Sequence, residues 1–243
     1  IEQPEYTHNN RWQGYPGWTL QDLLQPLHDV KPPNAIVTTK WATIWRDPHG
    51  TSPKFHVPMG TTVRITDTQG NFWQLQLADT ASAWIARGDV RLIQEFRRLP
   101  ASRRRQAILR AAETFLGDPY FWGGRSPYAD PSSDLMTEVT GVDCSGLVNL
   151  AYRTVGIEVP RDAHEQYLRA RKITQPKPAD LMFLSEANHP QKIVHVMLYA
   201  GDGWIIEGPG TGLAVHRIEV IERFGVPLDQ LFIGLLKLLF DLD

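Results

Sequence analysis

Between Ile36 and Ile93, apolar and polar residues alternate in short runs: Ile36–Thr39, Ala42–Trp45, Thr61–Thr66, Phe72–Leu77 and Ala83–Ile85. A period of two is that of a half-buried strand. The turn-forming clusters Asp47-Pro-His-Gly, Pro58-Met-Gly and Thr68-Gln-Gly-Asn separate the runs, and no long helical period interrupts them. Five or six short strands in this span predict a small β-barrel. Downstream the period lengthens. Ile108, Leu109, Ala112, Phe115 and Leu116 recur on one helical face, so a helix capped by Ser102 is predicted through Phe115. Leu147, Val148, Leu150, Ala151 and Val155 repeat the pattern and predict a helix that stops at Gly156. Residues 193–207 then read as a hairpin, two apolar strands around Gly201-Asp-Gly203.

The remaining stretches divide the chain. Residues 1–33 hold Pro4, Pro26, Pro32 and Pro33 besides Pro16, and a Trp18…Asp22-Leu23 segment matching Trp84…Asp89-Val90. Either two related units or chance would give that spacing. Phe96–Arg105 is a basic join and reads as a solvated linker rather than an anion site. Leu231–Phe240 is apolar but far short of the roughly 20 residues that span a bilayer, and reads as a final strand.

At 243 residues the chain has room for two small domains. A hydrophobic content of 42% and a net charge of −2 are ordinary for a globular protein and give no reason to expect nucleic acid as a partner. Nor is there an H-E-x-x-H or other metal-ligand spacing, so no cofactor is expected. Compartment stays open on composition.

Cys144 is the only cysteine and so cannot form an internal disulfide. Asp143 and Ser145 are N-cap residue types, which places Cys144 at the start of the second helix. Unpaired N–H groups and the helix dipole favour an anionic sulfur there; a small buried hydrophobe is the alternative. His195 shares a strand face with Ile193, Met197 and Tyr199. Glu207 joins that face if the hairpin loop is odd in length, whereas a two-residue loop reverses the parity. An imidazole could take the thiol proton, and a carboxylate on its other nitrogen could fix the tautomer.

Five motifs occur in order: Tyr120-x-Trp122-Gly-Gly, Asp143-Cys144-Ser145-Gly146-Leu147-Val148, Val159-Pro-Arg-Asp162, Pro178-x-Asp180-Leu-x-Phe183 and His195-Val-x-x-Tyr-x-Gly-x-Gly. Together they resemble the NlpC/P60 family of papain-like cysteine peptidases over about residues 107–235. The strands ahead of them resemble a bacterial SH3 domain. The resemblance implies an α+β fold, a papain-like NlpC/P60 catalytic domain preceded by an SH3-like β-barrel. The expected division is a remnant or C-terminal part of a first SH3-like unit at 1–33, a barrel at 34–95, a linker at 96–106 and the catalytic domain at 107–243. Trp41, Trp45, Phe72, Trp73 and Trp84 would either fill that barrel or line a ligand groove.

For the site, the resemblance implies Cys144 as nucleophile, His195 as proton relay and Glu207 where the family often has His. Tyr120 would help hold the oxyanion and Trp122 would shape a wall. Asp143 and Ser145 would contact a D-glutamyl group. Asp162 would meet a free amine, with Ala163 standing where the family often has Ser. Tyr15 would cap the same subsite. Alternatively Asp162 could cap the helix starting near Ala163, and Arg161 could be only a surface residue. The implied activity is cleavage of the γ-D-Glu–diaminopimelate or γ-D-Glu–L-Lys bond in peptidoglycan-derived peptides with a free N-terminal L-Ala. A monomer without a membrane span is expected, and a recycling role would favour the cytoplasm. An amidase or acyltransferase on the same fold, or a non-catalytic wall-binding protein, are the competing readings.

Overall fold

The computed structural model describes residues 6–8, 11–14, 18–23, 31–77, 82–130, 132 and 138–231. A hairpin of β1 (Tyr6–His8) and β2 (Arg11–Gln13) comes first. Seven antiparallel strands follow: β3 (Ala35–Val37), β4 (Trp41–Trp45), β5 (Pro53–Pro58), β6 (Thr62–Gln69), β7 (Phe72–Gln76), β8 (Ser82–Ala86) and β9 (Val90–Leu92). They pair in the order β5-β4-β8-β7-β6-β3-β9. That order is open, with β5 and β9 at its two edges, so the pairing gives a sheet where a closed barrel was expected. The sequence pattern missed β5, because Pro53 and Pro58 cannot donate to a ladder; an edge is where strand prolines are tolerated.

Ala42, Ile44, Ile65, Leu75, Ala83 and Ile85 fill one side of this sheet. The five tryptophan and phenylalanine positions are only partly buried. Trp73 packs against that core and lies under Arg87 at 4.4 Å, and the Trp41 indole donates to the Tyr128 carbonyl at 3.2 Å. Asp22 and Asp89 both fall in short 3-10 turns, Gln21–Leu23 and Arg87–Asp89, but Trp84 lies in β8 whereas Trp18 is in no strand and is fully exposed.

Within the join at 96–106 a short helix precedes the one that was expected. Helix α1 (Ile93–Arg98) and helix α2 (Ala101–Glu113) are separated by Leu99-Pro100. Pro100 and not Ser102 holds the N-cap position of α2. Proline fits there because a helix start leaves N–H groups unpaired in any case. Arg105, expected in solvent, is buried and donates to Asp180 at 2.7 Å. That ion pair ties α2 to the sheet that follows. Phe115 lies just beyond the helix, fully buried in the shared core.

The second half consists of β10 (Arg125–Ala129), β11 (Thr140–Val142), α3 (Cys144–Arg153), α4 (Ala163–Arg169), β12 (Leu181–Glu186), β13 (His189–Gly201), β14 (Trp204–Glu207), β15 (His216–Glu219), α5 (Val220–Phe224) and α6 (Leu228–Leu231). Strands β12–β15 form an antiparallel sheet in sequence order. Every residue of α3 from Cys144 to Tyr152 is buried, as expected of a helix surrounded by other elements. Leu147, Val148, Leu150 and Ala151 join Phe183, Val196, Leu198 and Ile206 in the main core. Ile36 of β3 and Met59 of the turn between β5 and β6 belong to that same core. Leu228–Leu231 is helical, and the strand expected over 231–240 falls almost wholly outside the described residues. No described helix is long and apolar enough to cross a membrane.

Candidate active site

Helix α3 starts at Cys144 because Asp143 caps it. The Asp143 side chain accepts from the Gly146 N–H at 2.7 Å and from the Gly123 N–H at 3.0 Å. The glycines of both motifs make this possible. A Cβ on Gly146 would sit 2.1 Å from the Gly124 carbonyl, and one on Gly124 would sit 2.3 Å from the Gly141 carbonyl. The Trp-Gly-Gly turn and the first turn of α3 therefore interlock backbone against backbone, which only glycine permits. Cys144 emerges from this contact 8% exposed.

His195 comes from β13. Its Nε2 contacts Glu207 Oε2 at 2.5 Å, and its side chain also makes a hydrogen bond with Cys144. With Nε2 committed to the carboxylate, Nδ1 is the ring nitrogen left for the sulfur. Burial alone would lower the imidazole pKa. The hydrogen bonds to Cys144 and Glu207, and their charges, outweigh it and raise the group from 6.5 to about 9. Burial would likewise raise Glu207. Its bonds to His195 and Arg223, the charge of His195 and a bond to His216 reverse that and bring it down to about 2.

The placement of Glu207 resolves the parity question in an unforeseen way. Gly201 pairs with Trp204, so the turn Asp202-Gly203 has two residues, both with positive φ. A two-residue turn alone would have put Glu207 on the wrong face. However, the register shifts between Tyr199 and Gly201, after which Tyr199 pairs with Ile205 and Leu198 with Ile206. This bulge adds the odd residue the loop lacks. Carried one residue on, the register sets Glu207 opposite Met197, diagonal to His195 on the same face.

A cleft of about 610 Å³ opens over Cys144. It is lined by Tyr120, Trp122, Asp143, Ser145, Arg161, Asp162 and Ala163 among others. Tyr120 forms a parallel bridge to Val142, one strand residue before the cap. Its burial and the charges of Cys144 and Asp143 push its hydroxyl up to about 12, with Arg161 opposing. It therefore stays a proton donor. Trp122 stands 81% exposed at the rim. Asp162 occupies the N-cap position of α4 but makes no side-chain cap bond, and lies 3.9 Å from Arg161. Ala163 begins α4 at the cleft wall. Tyr15 lies outside the described residues.

Two residues play parts the sequence did not disclose. Arg161 is no surface residue. Its side chain is 11% exposed and grips both Asp143 oxygens, the Ser145 hydroxyl at 3.0 Å and the Gly124 carbonyl at 3.2 Å. Asp143 is thus engaged by protein groups on both oxygens, and its contact with any ligand would pass through the residues it holds. Arg223 of α5 is the other, bonded to Glu207. Nothing in the spacing of the sequence pointed to it. No cluster of metal-ligating side chains occurs among the described residues.

A thiol on a helix start, an imidazole on a neighbouring strand and a carboxylate behind it are the arrangement of a cysteine-peptidase site. Residues 117–223 match the NlpC/P60 family model, and the chain carries an NlpC/P60 domain. It is 25% identical over 214 residues to the γ-D-glutamyl-L-lysine dipeptidyl-peptidase of Bacillus cereus, covering 86% of this chain and 60% of that protein. It is also 37% identical over 136 residues to the peptidoglycan endopeptidase RipB of Mycobacterium tuberculosis, covering 53% of this chain and 54% of that one. The chain thus spans just over half the length of these curated relatives. A crystal structure of an NlpC/P60 family protein from Bacillus cereus superposes with a TM-score of 0.75 at 22% identity, over 98% of this chain and 73% of that one. That likeness shows the fold extending through the strands ahead of the domain.

Proposed function

We propose that this protein is a cysteine peptidase that hydrolyses the bond between γ-D-glutamate and the diamino acid in peptidoglycan stem peptides. The observation that carries the reading is the unbroken contact series from Cys144 through His195 to Glu207 beneath an open cleft. The likeness to the dipeptidyl-peptidase and endopeptidase relatives supports the substrate class.

In this reading the Cys144 sulfur attacks the γ-carbonyl carbon of the D-glutamyl residue. Charge develops on the carbonyl oxygen, where the Cys144 N–H at the helix start and the Tyr120 hydroxyl can donate to it. His195, as imidazolium, gives its proton to the leaving amine of the diamino acid, and a thioester remains. Neutral His195 then takes a proton from water, whose oxygen displaces the sulfur. Glu207 holds the ring by Nε2 throughout and stabilises its charged form.

Asp162 lies along the cleft from Cys144 and is the acid we assign to the free amine of an N-terminal L-Ala. Ser145, fixed by Arg161 and Asp143, faces the D-glutamyl portion, with Trp122 along the rim. The division of the chain at 34–95 and 107–243 belongs to the same reading, with the first part SH3-like in its strands but open. Residues 1–33 would be part of a related first unit.

The test is mass spectrometry of L-Ala-γ-D-Glu-diaminopimelate incubated with the enzyme, beside its N-acetylmuramyl form and the L-Lys analogue. Release of L-Ala-D-Glu from the free tripeptides alone is expected. Equal cleavage of the muramyl form would refute the amine anchor, and no cleavage of any would refute the substrate class.

A further inference from the structure

Glu207 has two oxygens, and the reaction uses one of them. Oε2 faces His195. Oε1 receives the Arg223 Nε–H at 2.6 Å and contacts His216 Nε2 at 3.2 Å. The carboxylate itself is sealed from solvent, with 0% side-chain exposure, whereas Arg223 and His216 are 32% and 38% exposed. The charged and titratable groups around it are His195 on β13, His216 on β15 and Arg223 on α5. Arg217, the next residue on β15, belongs elsewhere: its guanidinium covers the Trp204 ring at 5.2 Å and reaches Glu113 at 3.8 Å.

A buried carboxylate with a single partner can rotate or take up a proton, because burial disfavours its charge. Here a guanidinium fixes the far oxygen, and charge-assisted bonds of this kind are short and directional. We infer that Arg223 is a positioning residue for the reaction, holding Glu207 ionised and turned so that its other oxygen stays on His195. His216 closes the remaining side of the same oxygen. Arg223 touches neither sulfur nor cleft and acts only through Glu207. The inference rests on the proposed roles of Cys144, His195 and Glu207.

The test uses Arg223→Gln and Arg223→Lys in the full chain, each alone and combined with Glu207→Gln. Two readouts are taken: kcat and KM on the tripeptide, and the pH dependence of Cys144 alkylation by iodoacetamide, which needs no substrate. Arg223→Gln is expected to lower kcat by roughly tenfold, less than the ~10²–10⁴ that a positioned acid–base group itself supplies, with KM unchanged. Its acidic limb should move to higher pH, because Glu207 then takes up a proton sooner and His195 loses its counter-charge. Arg223→Lys should recover most of kcat and the position of the limb. In the Glu207→Gln background, Arg223→Gln should cost less than twofold. Independent, multiplying losses in the double variant, or an acidic limb that stays in place, would overturn the inference. If Arg223→Gln proves unfolded by circular dichroism, Arg223→Met, which keeps the aliphatic stem but not the charge, takes its place: the same upward shift of the acidic limb is expected, and an unmoved limb overturns the inference. Should the wild type turn over no tripeptide, the proposed substrate fails while the alkylation profiles still decide the role of Arg223.

Discussion

The Arg161 guanidinium lies across the Asp143 carboxylate, Nη2 to Oδ2 at 2.8 Å and Nη1 to Oδ1 at 3.1 Å. That pair fixes the residue before Cys144 to the loop that ends at α4, so two walls of the cleft are one mechanical unit. Each side chain is 11% exposed, and removing one partner leaves the other charged and buried. Arg161→Ala should destabilise the protein by about 3–5 kcal/mol, read by urea denaturation. A loss under 1 kcal/mol would mean that water replaces the guanidinium without cost.

Glycine at 146 is required by space and not by φ. Gly146→Ala would drive a methyl group to 2.1 Å from the Gly124 carbonyl oxygen and 3.0 Å from the Asp143 carboxylate that caps the helix. The variant is expected not to accumulate as folded protein, judged by soluble yield and near-ultraviolet circular dichroism. A folded, active Gly146→Ala would show that the Trp-Gly-Gly turn can yield.

Cys144→Ala removes one sulfur from the edge of the main core, while the cap of α3, Asp143 to the Gly146 N–H, is untouched. Turnover should drop at least 10³-fold, while the unfolding midpoint stays near that of the wild type. Residual turnover within tenfold of the parent would place the chemistry elsewhere.

The His195–Glu207 pair gives stability a pH signature. His195 is raised from 6.5 to about 9, so its contribution is complete below 6.5 and fades as pH climbs through 9. Glu207 is lowered from 4.5 to about 2, so its contribution is complete above 4.5 and fades as pH falls through 2. Both are whole between pH 4.5 and 6.5. The stability difference between wild type and Glu207→Gln should be greatest in that window and shrink on either side. Denaturation curves from pH 3 to 10 would test this, and a flat difference would show that the pair is not ionised as described.

Met59, in the turn joining β5 to β6, reaches into the core around α3, where it is 1% exposed. Met59→Ala should cost about 2–5 kcal/mol and lower the unfolding midpoint of the NlpC/P60 domain together with that of the sheet. Two separate transitions, only one of them shifted, would show that the shared core does not couple them.

Much of this was legible in the chain itself. The position of Cys144 followed from a cap residue and a clean helical period, both local features. The motifs identified the domain for the same reason. What stayed hidden was nonlocal. Arg105 and Arg161 looked like solvent-facing cations because their partners, Asp180 and Asp143, are distant in sequence. Barrel closure could not be judged from alternation, which says which face is buried but not which strands meet. Pro53 and Pro58 concealed an edge strand for the reason that they can occupy one. The bulge beside Ala200 left only a faint mark, Gly201, whose positive φ ends the regular ladder but which the sequence reads as part of the Gly-Asp-Gly turn.

That bulge makes spacing itself part of the chemistry. Deleting Ala200, or inserting one residue beside it, would leave every reacting group in the polypeptide yet swing Glu207 to the opposite side of its strand, away from the imidazole. A two-residue change at the same place would restore the facing. In this hairpin, counting governs competence: odd edits disarm the molecule and even ones spare it, so long as the left-handed positions Gly201 and Gly203 keep glycine.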